Sequence, residues 1–216
     1  PVVCVQYSIA YEFVSLLKKK AEAMKLGCAY DEDTDLGPVV NAGHKEKICN
    51  WIQKGIDEGA ELVLDGRNVV VPRYENGFFV GPTILDHVTP EMTVGNREIF
   101  GPVTCIKRVK DYEEGIAVMN ANPFANGSCI FTQSGYYSRK FAMETDGGMV
   151  GINVGIPVPT AYFPFSGNKD SFFGDLHVLG KDGYRFFTRA KTVTTHWFDE
   201  AAGKRKVGTW EGSTEA

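Results

Sequence analysis

The chain has 216 residues, 43% apolar and 23% charged, with a formal net charge of −4. That composition suits a folded domain with a sizeable core, and it excludes a disordered chain and a strongly basic surface for nucleic acid or anionic membrane. No apolar run approaches the roughly 20 residues needed to cross a bilayer, so no membrane span is expected.

Val2–Tyr7 is dense in Val and predicts a strand. Ile9–Leu26 carries Phe13, Leu17, Ala21 and Met24 on one stripe, which predicts an amphipathic helix ended by Gly27. Lys18, Lys19 and Lys20 lie on it and read as a solvated face. After the acidic loop "DEDTDLGP", Asn41–Glu58 predicts a second helix, with Ile48, Trp51, Ile52 and Ile56 inward. "ELVLDG" follows as a strand, and "NVVVPRYENGFFVGPTILDHV" reads as a hairpin or meander turning at Asn76-Gly77. "VTCIKRV" at 103–109 is a further strand. Asp111 is placed to cap a helix, with Glu114 three residues on as in a capping box. "SCIFTQ" predicts a strand, "YYSRKFAMET" a helix ended by Gly147-Gly148, and "MVGINV" a strand whose Asn153 should tie down a loop.

Alternation of strand and helix predicts an α/β layer fold with a mostly parallel sheet. After Val154 the pattern breaks. "GIPVPTAYFPFSGNKDSFFGD" is rich in Pro, Gly and aromatics, as expected of a segment that wraps a core or lines a pocket. "KTVTTHWF" at 191–198 is β-prone, and "AAGKRKVGTWEGSTEA" reads as a weakly ordered tail. The chain opens on Pro1 inside an apolar strand, so it is expected to be part of a longer polypeptide.

The five cysteines are odd in number and widely spaced, without a C-x-x-C pair, and the four histidines show no H-x-x-x-H spacing. Neither a metal site nor a disulfide framework is expected. Cys4 lies among Val2, Val3 and Val5 with no nearby cation in sequence, the setting of a buried structural thiol rather than a reactive thiolate. Asn126 heads an "NGS" sequon that a reducing compartment leaves idle. No G-x-G-x-x-G turn occurs.

"EIFGPV", "NPFANGSCIFT", "GGMVGINV" and "PFSGNKDSFFG", in that order, resemble the second half of the aldehyde dehydrogenase superfamily. "PVPTAYFPFSG" and "DSFFGDLHVLGKDGYRFFTRAKTVTTHW" are similar to its CoA-acylating branch, the methylmalonate-semialdehyde dehydrogenases. The likeness runs from about Val2 to about Trp197; Asn168 and Asp170 are unusual for the pattern. It implies a three-layer α/β catalytic domain, incomplete here, over 1–189, an oligomerisation strand at 190–198, and a tail at 199–216.

In that family a cysteine thiolate attacks an aldehyde, the thiohemiacetal gives hydride to NAD, and the resulting thioester passes to CoA. For methylmalonate semialdehyde the product loses carbon dioxide and becomes propionyl-CoA. The nucleophile's Gly-Gln/Glu-Arg-Cys-Met motif does not occur in this sequence, so no catalytic residue is assigned. The general-base glutamate, the oxyanion asparagine, the dinucleotide domain and most substrate-reading arginines precede that motif in the family. What the resemblance assigns to this chain is Glu98, as acceptor for the nicotinamide-side ribose, and Phe100, packing beside that ribose and the nicotinamide. Without the resemblance, Glu98 reads as a solvated strand-edge acid. Phe163, Phe165 and Ser166 fall where the family lines its aldehyde tunnel, and loop or core packing is the alternative.

NAD and CoA are thus cofactors of the whole family, with neither expected to bind this chain alone. Two functions fit. One is the C-terminal part of a working enzyme, inactive without the N-terminal half; the other is a fragment kept as a structural or assembly subunit. The implied partners are the missing half and other protein chains, through the C-terminal strand. The implied compartment is the mitochondrial matrix or the cytoplasm.

Overall fold

A computed structural model describes residues 2–197. Phe198 and the tail expected at 199–216 lie outside the described residues. The chain divides into two compact units: residues to 158 with 166–173, and residues 159–165 with those from 174 onward.

The first unit is built on a four-stranded sheet in the order β1-β4-β3-β2, from β1 (Val2–Gln6), β2 (Glu61–Leu64), β3 (Thr83–Asp86) and β4 (Val103–Val109). β1 and β3 pair parallel to β4, and β2 pairs antiparallel to β3. All of β3 and most of β4 are buried, and the charged Asp86 and Arg108 are buried there beside Ile84, Leu85 and Ile106. α1 (Ala10–Glu22) covers one face, packing Ala10 and Val14 on Val5, Ile84 and Ile106. α2 (Ala42–Asp57) covers the other, packing Ile48 and Ile52 on Leu85, Val103 and Cys105. Ile84 and Leu85 are neighbours in β3 and serve opposite cores, as strand alternation requires. Each buried isoleucine or leucine contributes roughly 1.5–3 kcal/mol by leaving water.

The stretch expected as a hairpin is different. Between β2 and β3 the chain forms no strand, and Pro72 could not donate to a ladder in any case. A turn does form here, but one residue earlier than expected, centred on Glu75-Asn76 and closed by the Gly77 N–H on the Tyr74 carbonyl at 2.8 Å. The loop is cinched where the Gly81 N–H meets the Gly66 carbonyl at 2.7 Å; a Cβ at Gly66 would lie 2.0 Å from the Gly81 oxygen. The antiparallel partner of β2 is therefore β3, reached after this long loop.

A short helix, α3 (Thr93–Asn96), precedes β4, and α4 (Tyr112–Ala121) follows it. The Asp111 side chain accepts from the Glu114 N–H at 3.0 Å, while Glu114 accepts from the Lys110 N–H at 2.8 Å, a capping box displaced by one residue. β5 (Phe124–Ala125), β6 (Gly127–Ile130), α5 (Gly135–Glu144) and β7 (Met149–Ile152) come next. β6 and β7 form a parallel pair, and β5 pairs antiparallel with β8 (Asn168–Lys169). Asn153 ends β7 by accepting from the Thr132 N–H at 2.8 Å and donating to the Thr132 carbonyl at 3.0 Å. The architecture is mixed α/β with mostly parallel pairing.

In the second unit, the Phe165 N–H donates to the Val178 carbonyl at 2.8 Å, and α6 (Gly180–Phe186) follows. Residues 188–197 are outside helix and strand. The strand expected at 190–198 is one that pairs with another chain, and in the single chain residues 190–197 are part of this irregular stretch.

Among the described residues no helix is long and apolar enough to cross a membrane.

Candidate functional site

Residues 97–102 link α3 to β4 and meet the first turns of α2. Ile99 turns inward and is buried in the core that also holds Ile48 and Val103. Glu98 and Phe100, one residue to either side, face solvent. Phe100 is 73% exposed. A phenylalanine so exposed is not there for the core, and a carboxylate beside it offers only hydrogen-bond acceptors.

The backbone at this point is unusual. Phe100 has φ 57°, the left-handed region, which costs a bulky residue of order 1–3 kcal/mol unless the surroundings hold it. Two groups on α2 do so. The His44 ring donates from Nε2 to the Phe100 carbonyl at 2.7 Å; a carbonyl oxygen only accepts, which fixes the direction. One turn further along the same face, Ile48 lies under Gly101, where a Cβ would come within 2.7 Å of Ile48 Cδ1. Asn41 caps α2 by accepting from the His44 N–H at 2.8 Å, so the residue that grips Phe100 is itself held at the helix start. At the other end of the loop, the Glu58 carboxylate takes the Thr93 N–H at 2.6 Å and the Thr93 hydroxyl at 2.7 Å. These bonds hold the Glu58 carboxyl below its ordinary range.

Glu98 and Phe100 lie two residues apart on one loop, both exposed. Phe163 and Phe165 belong to the second unit, Phe163 exposed and Phe165 half-buried; Ser166 belongs to the first. His44 was missed by sequence reasoning. Its spacing to other histidines says nothing of metal binding, and its contact is with a carbonyl 56 residues away. The only local signal was its place three residues after a capping Asn41.

Three of the five cysteines are shifted away from the thiolate. Burial pushes the Cys4 thiol up, against a smaller lowering by Lys107. Burial pushes Cys105 up to about 11 and also raises Cys129. A reactive thiolate needs the opposite shift. Among the described residues no group of three or more His, Cys, Asp or Glu is placed to hold a metal ion.

The sequence profile described as "Aldehyde dehydrogenase family" matches residues 1–193. The chain belongs to the aldehyde dehydrogenase family. It is 52% identical over 196 residues to a malonate-semialdehyde dehydrogenase of Oceanobacillus iheyensis, covering 91% of this chain and 40% of the relative. It is 51% identical over 183 residues to the acylating, mitochondrial methylmalonate-semialdehyde dehydrogenase of Arabidopsis thaliana, covering 85% and 30%. The crystal structure of a methylmalonate-semialdehyde dehydrogenase from Oceanimonas doudoroffii superposes with a TM-score of 0.90 at 43% identity, over 94% of this chain and 42% of that one. A Sinorhizobium meliloti protein solved in complex with NAD superposes at 0.89 with 41% identity, over 92% and 40%. The chain thus spans 30–40% of the length of the Oceanobacillus and Arabidopsis relatives.

Proposed function

We propose that this chain is the C-terminal part of an NAD-dependent, CoA-acylating malonate- or methylmalonate-semialdehyde dehydrogenase, and that it supplies one side of the cofactor site. The observation that carries this reading is the outward pairing of Glu98 and Phe100 about a buried Ile99, on a backbone held in a left-handed turn. A carboxylate accepts from two vicinal hydroxyls, as a ribose presents, and a flat exposed ring packs beside a nicotinamide. Both groups fit that end of NAD. When bound, NAD supplies the hydride acceptor; Glu98 and Phe100 orient it and touch no reacting carbonyl. The nucleophile, the general base and the pyrophosphate cradle would come from the N-terminal half, so the chain alone is inactive and binds neither NAD nor CoA tightly. Phe163, Phe165 and Ser166 are proposed to line the aldehyde tunnel in that assembly. The setting required is a compartment holding both cofactors, the mitochondrial matrix or the cytoplasm. The names and high identity of the relatives support the substrate class.

The test is a chimera that joins the N-terminal part of the Oceanobacillus relative to this chain. NADH formation is followed with each semialdehyde, with and without CoA. Turnover is expected with CoA present. Glu98→Gln should lower the rate about tenfold or more, as loss of a charge-assisted hydrogen bond of about 1.5–3 kcal/mol predicts. A folded chimera that turns over no semialdehyde, or one indifferent to both Glu98→Gln and Phe100→Ala, would overturn the proposal and favour a structural subunit.

A further inference from the structure

We propose that His44 is a positioning residue for the nicotinamide-side clamp: through its Nε2–H bond to the Phe100 carbonyl, it holds Phe100 left-handed and so sets where Glu98 and the Phe100 ring point. This rests on the clamp reading given above for the same site.

Three observations carry it. Phe100 is a bulky residue at φ 57°, a conformation that does not persist without outside support. The His44 bond to its carbonyl, at 2.7 Å, is a side-chain contact made on the strained residue itself. His44 is in turn fixed by its own backbone, which donates to the Asn41 cap, and by Ile48 one turn on, seated under Gly101. Helix start, imidazole and loop carbonyl therefore form one relay, and the loop cannot relax toward an extended Phe100 without breaking it. Because the acceptor is a carbonyl, the neutral imidazole must carry its proton on Nε2. That tautomer is a directly observable consequence.

The experiment uses nuclear magnetic resonance on this chain, with long-range nitrogen–proton spectra of the histidine rings at a pH well above the ordinary histidine range. His44 is expected as the Nε2–H tautomer; an Nδ1–H tautomer overturns the proposal. The Phe100 amide–α coupling and carbon shifts then report its backbone in the parent, His44→Ala and His44→Gln. The left-handed signature should be lost with alanine and restored with glutamine, whose amide can donate over a similar reach. A left-handed Phe100 that survives His44→Ala overturns the proposal. If the alanine variant does not fold, the parent's tautomer and the glutamine variant still decide. In the chimera, His44→Ala should lower kcat about fivefold while leaving KM for the aldehyde in place, matching one neutral hydrogen bond of about 1 kcal/mol. An unchanged kcat overturns the proposal. An effect of His44→Ala on Phe100, combined with a silent Glu98→Gln, defeats the clamp and leaves the backbone lock standing, so the two failures are distinguishable.

Discussion

Arg108 donates from Nη2 to Asp86 Oδ2 at 2.8 Å in the middle of the sheet, with the two side chains 8% and 1% exposed. Asp86 ends β3 and Arg108 lies near the end of the adjacent β4, so one ion pair ties the outgoing ends of two parallel strands. The Tyr11 ring of α1 covers the guanidinium at 4.3 Å. The Asp86 hydrogen bond is the largest influence keeping Arg108 charged. Removing one partner strands the other charge in the core. Asp86→Ala is expected to cost about 3–5 kcal/mol in urea unfolding, whereas replacing both residues with apolar ones of similar volume should be nearly neutral. Equal losses for the single and double replacements would show that packing, not charge, is at stake.

Glu58 gives a pH dependence with a definite sign. The Thr93 hydroxyl, then the Thr93 N–H, lower its folded-state pKa. A depressed carboxylate contributes stability that is fully present above its unfolded value of about 4.3 and is lost as pH falls through the lower folded value. Acidification below about pH 4 should therefore loosen α3 and the loop that carries Glu98. The Thr93 amide resonance is the probe. It should titrate in this range in the parent and lose that response in Glu58→Gln.

Lys169 is a staple. It has φ 52°, and its ammonium reaches the Asn120 carbonyl at 2.5 Å, the Asn122 carbonyl at 3.3 Å and Asp146 at 2.5 Å. It thus satisfies carbonyls at the C-terminus of α4 while sitting in β8, and Asn168 beside it donates to the Asp146 carbonyl at 2.8 Å. Lys169→Ala should cost about 1–3 kcal/mol. It should also speed hydrogen exchange at Phe124 and Ala125 more than in β3. Uniform acceleration across the chain would argue against a local staple.

Much of this was legible in the sequence where one local rule decides. The 103–109 run is β4 to the residue because its β-branched Val103, Ile106 and Val109 favour a strand, and Asp111 caps α4 because its carboxylate precedes a helical stripe as a free acceptor. The Asn76-Gly77 hairpin failed because the dipeptide specifies a turn and not what the turn joins. Pro72 and the Gly66–Gly81 contact made the flanks irregular. Glu98 and Phe100 were singled out through resemblance alone, since an exposed acid and one aromatic carry little local signal. His44 was invisible because the loop it holds is distant in sequence and nearby only once α2 has docked.

The chain by itself is expected to leave aldehydes unoxidised. Cys4, the cysteine nearest the chain start, sits opposite Lys107 in the β1–β4 register, and burial still outweighs that cation in raising its thiol. Cys105 is raised to about 11 by burial. At pH about 7.5 neither is a thiolate to any useful degree, so iodoacetamide should alkylate both far more slowly than a free thiol of ordinary pKa near 8.5. NADH formation by the purified chain with NAD, CoA and semialdehyde should stay at background. Turnover abolished by Cys4→Ala would make Cys4 the nucleophile and sink the expectation.

The segment at 191–197 is expected to find its ladder on another chain. It alternates Thr192, Thr194 and His196 with Val193, Thr195 and Trp197, a pattern with one moderately apolar face, yet it is outside any strand here. Val193 is 74% and Trp197 87% exposed, so both side chains are available to a partner surface. Phe186 and Phe187, stacked edge to face with centroids 5.1 Å apart, precede it and are also exposed. A β-prone segment left outside helix and strand can add to a neighbour's sheet edge through its main-chain N–H and C=O groups. β7 offers such an edge, pairing with β6 on one side and exposing Val150 and Ile152. The expected partner is a second copy or the N-terminal part of a longer polypeptide. Light scattering distinguishes these outcomes: removing everything after Arg189 should reduce a self-associated chain to a smaller species with the α/β body still folded. If the parent is already monomeric, the same deletion should instead weaken capture of the purified N-terminal part of the relative. An unchanged mass together with unchanged capture would show that residues 191–197 pair with neither.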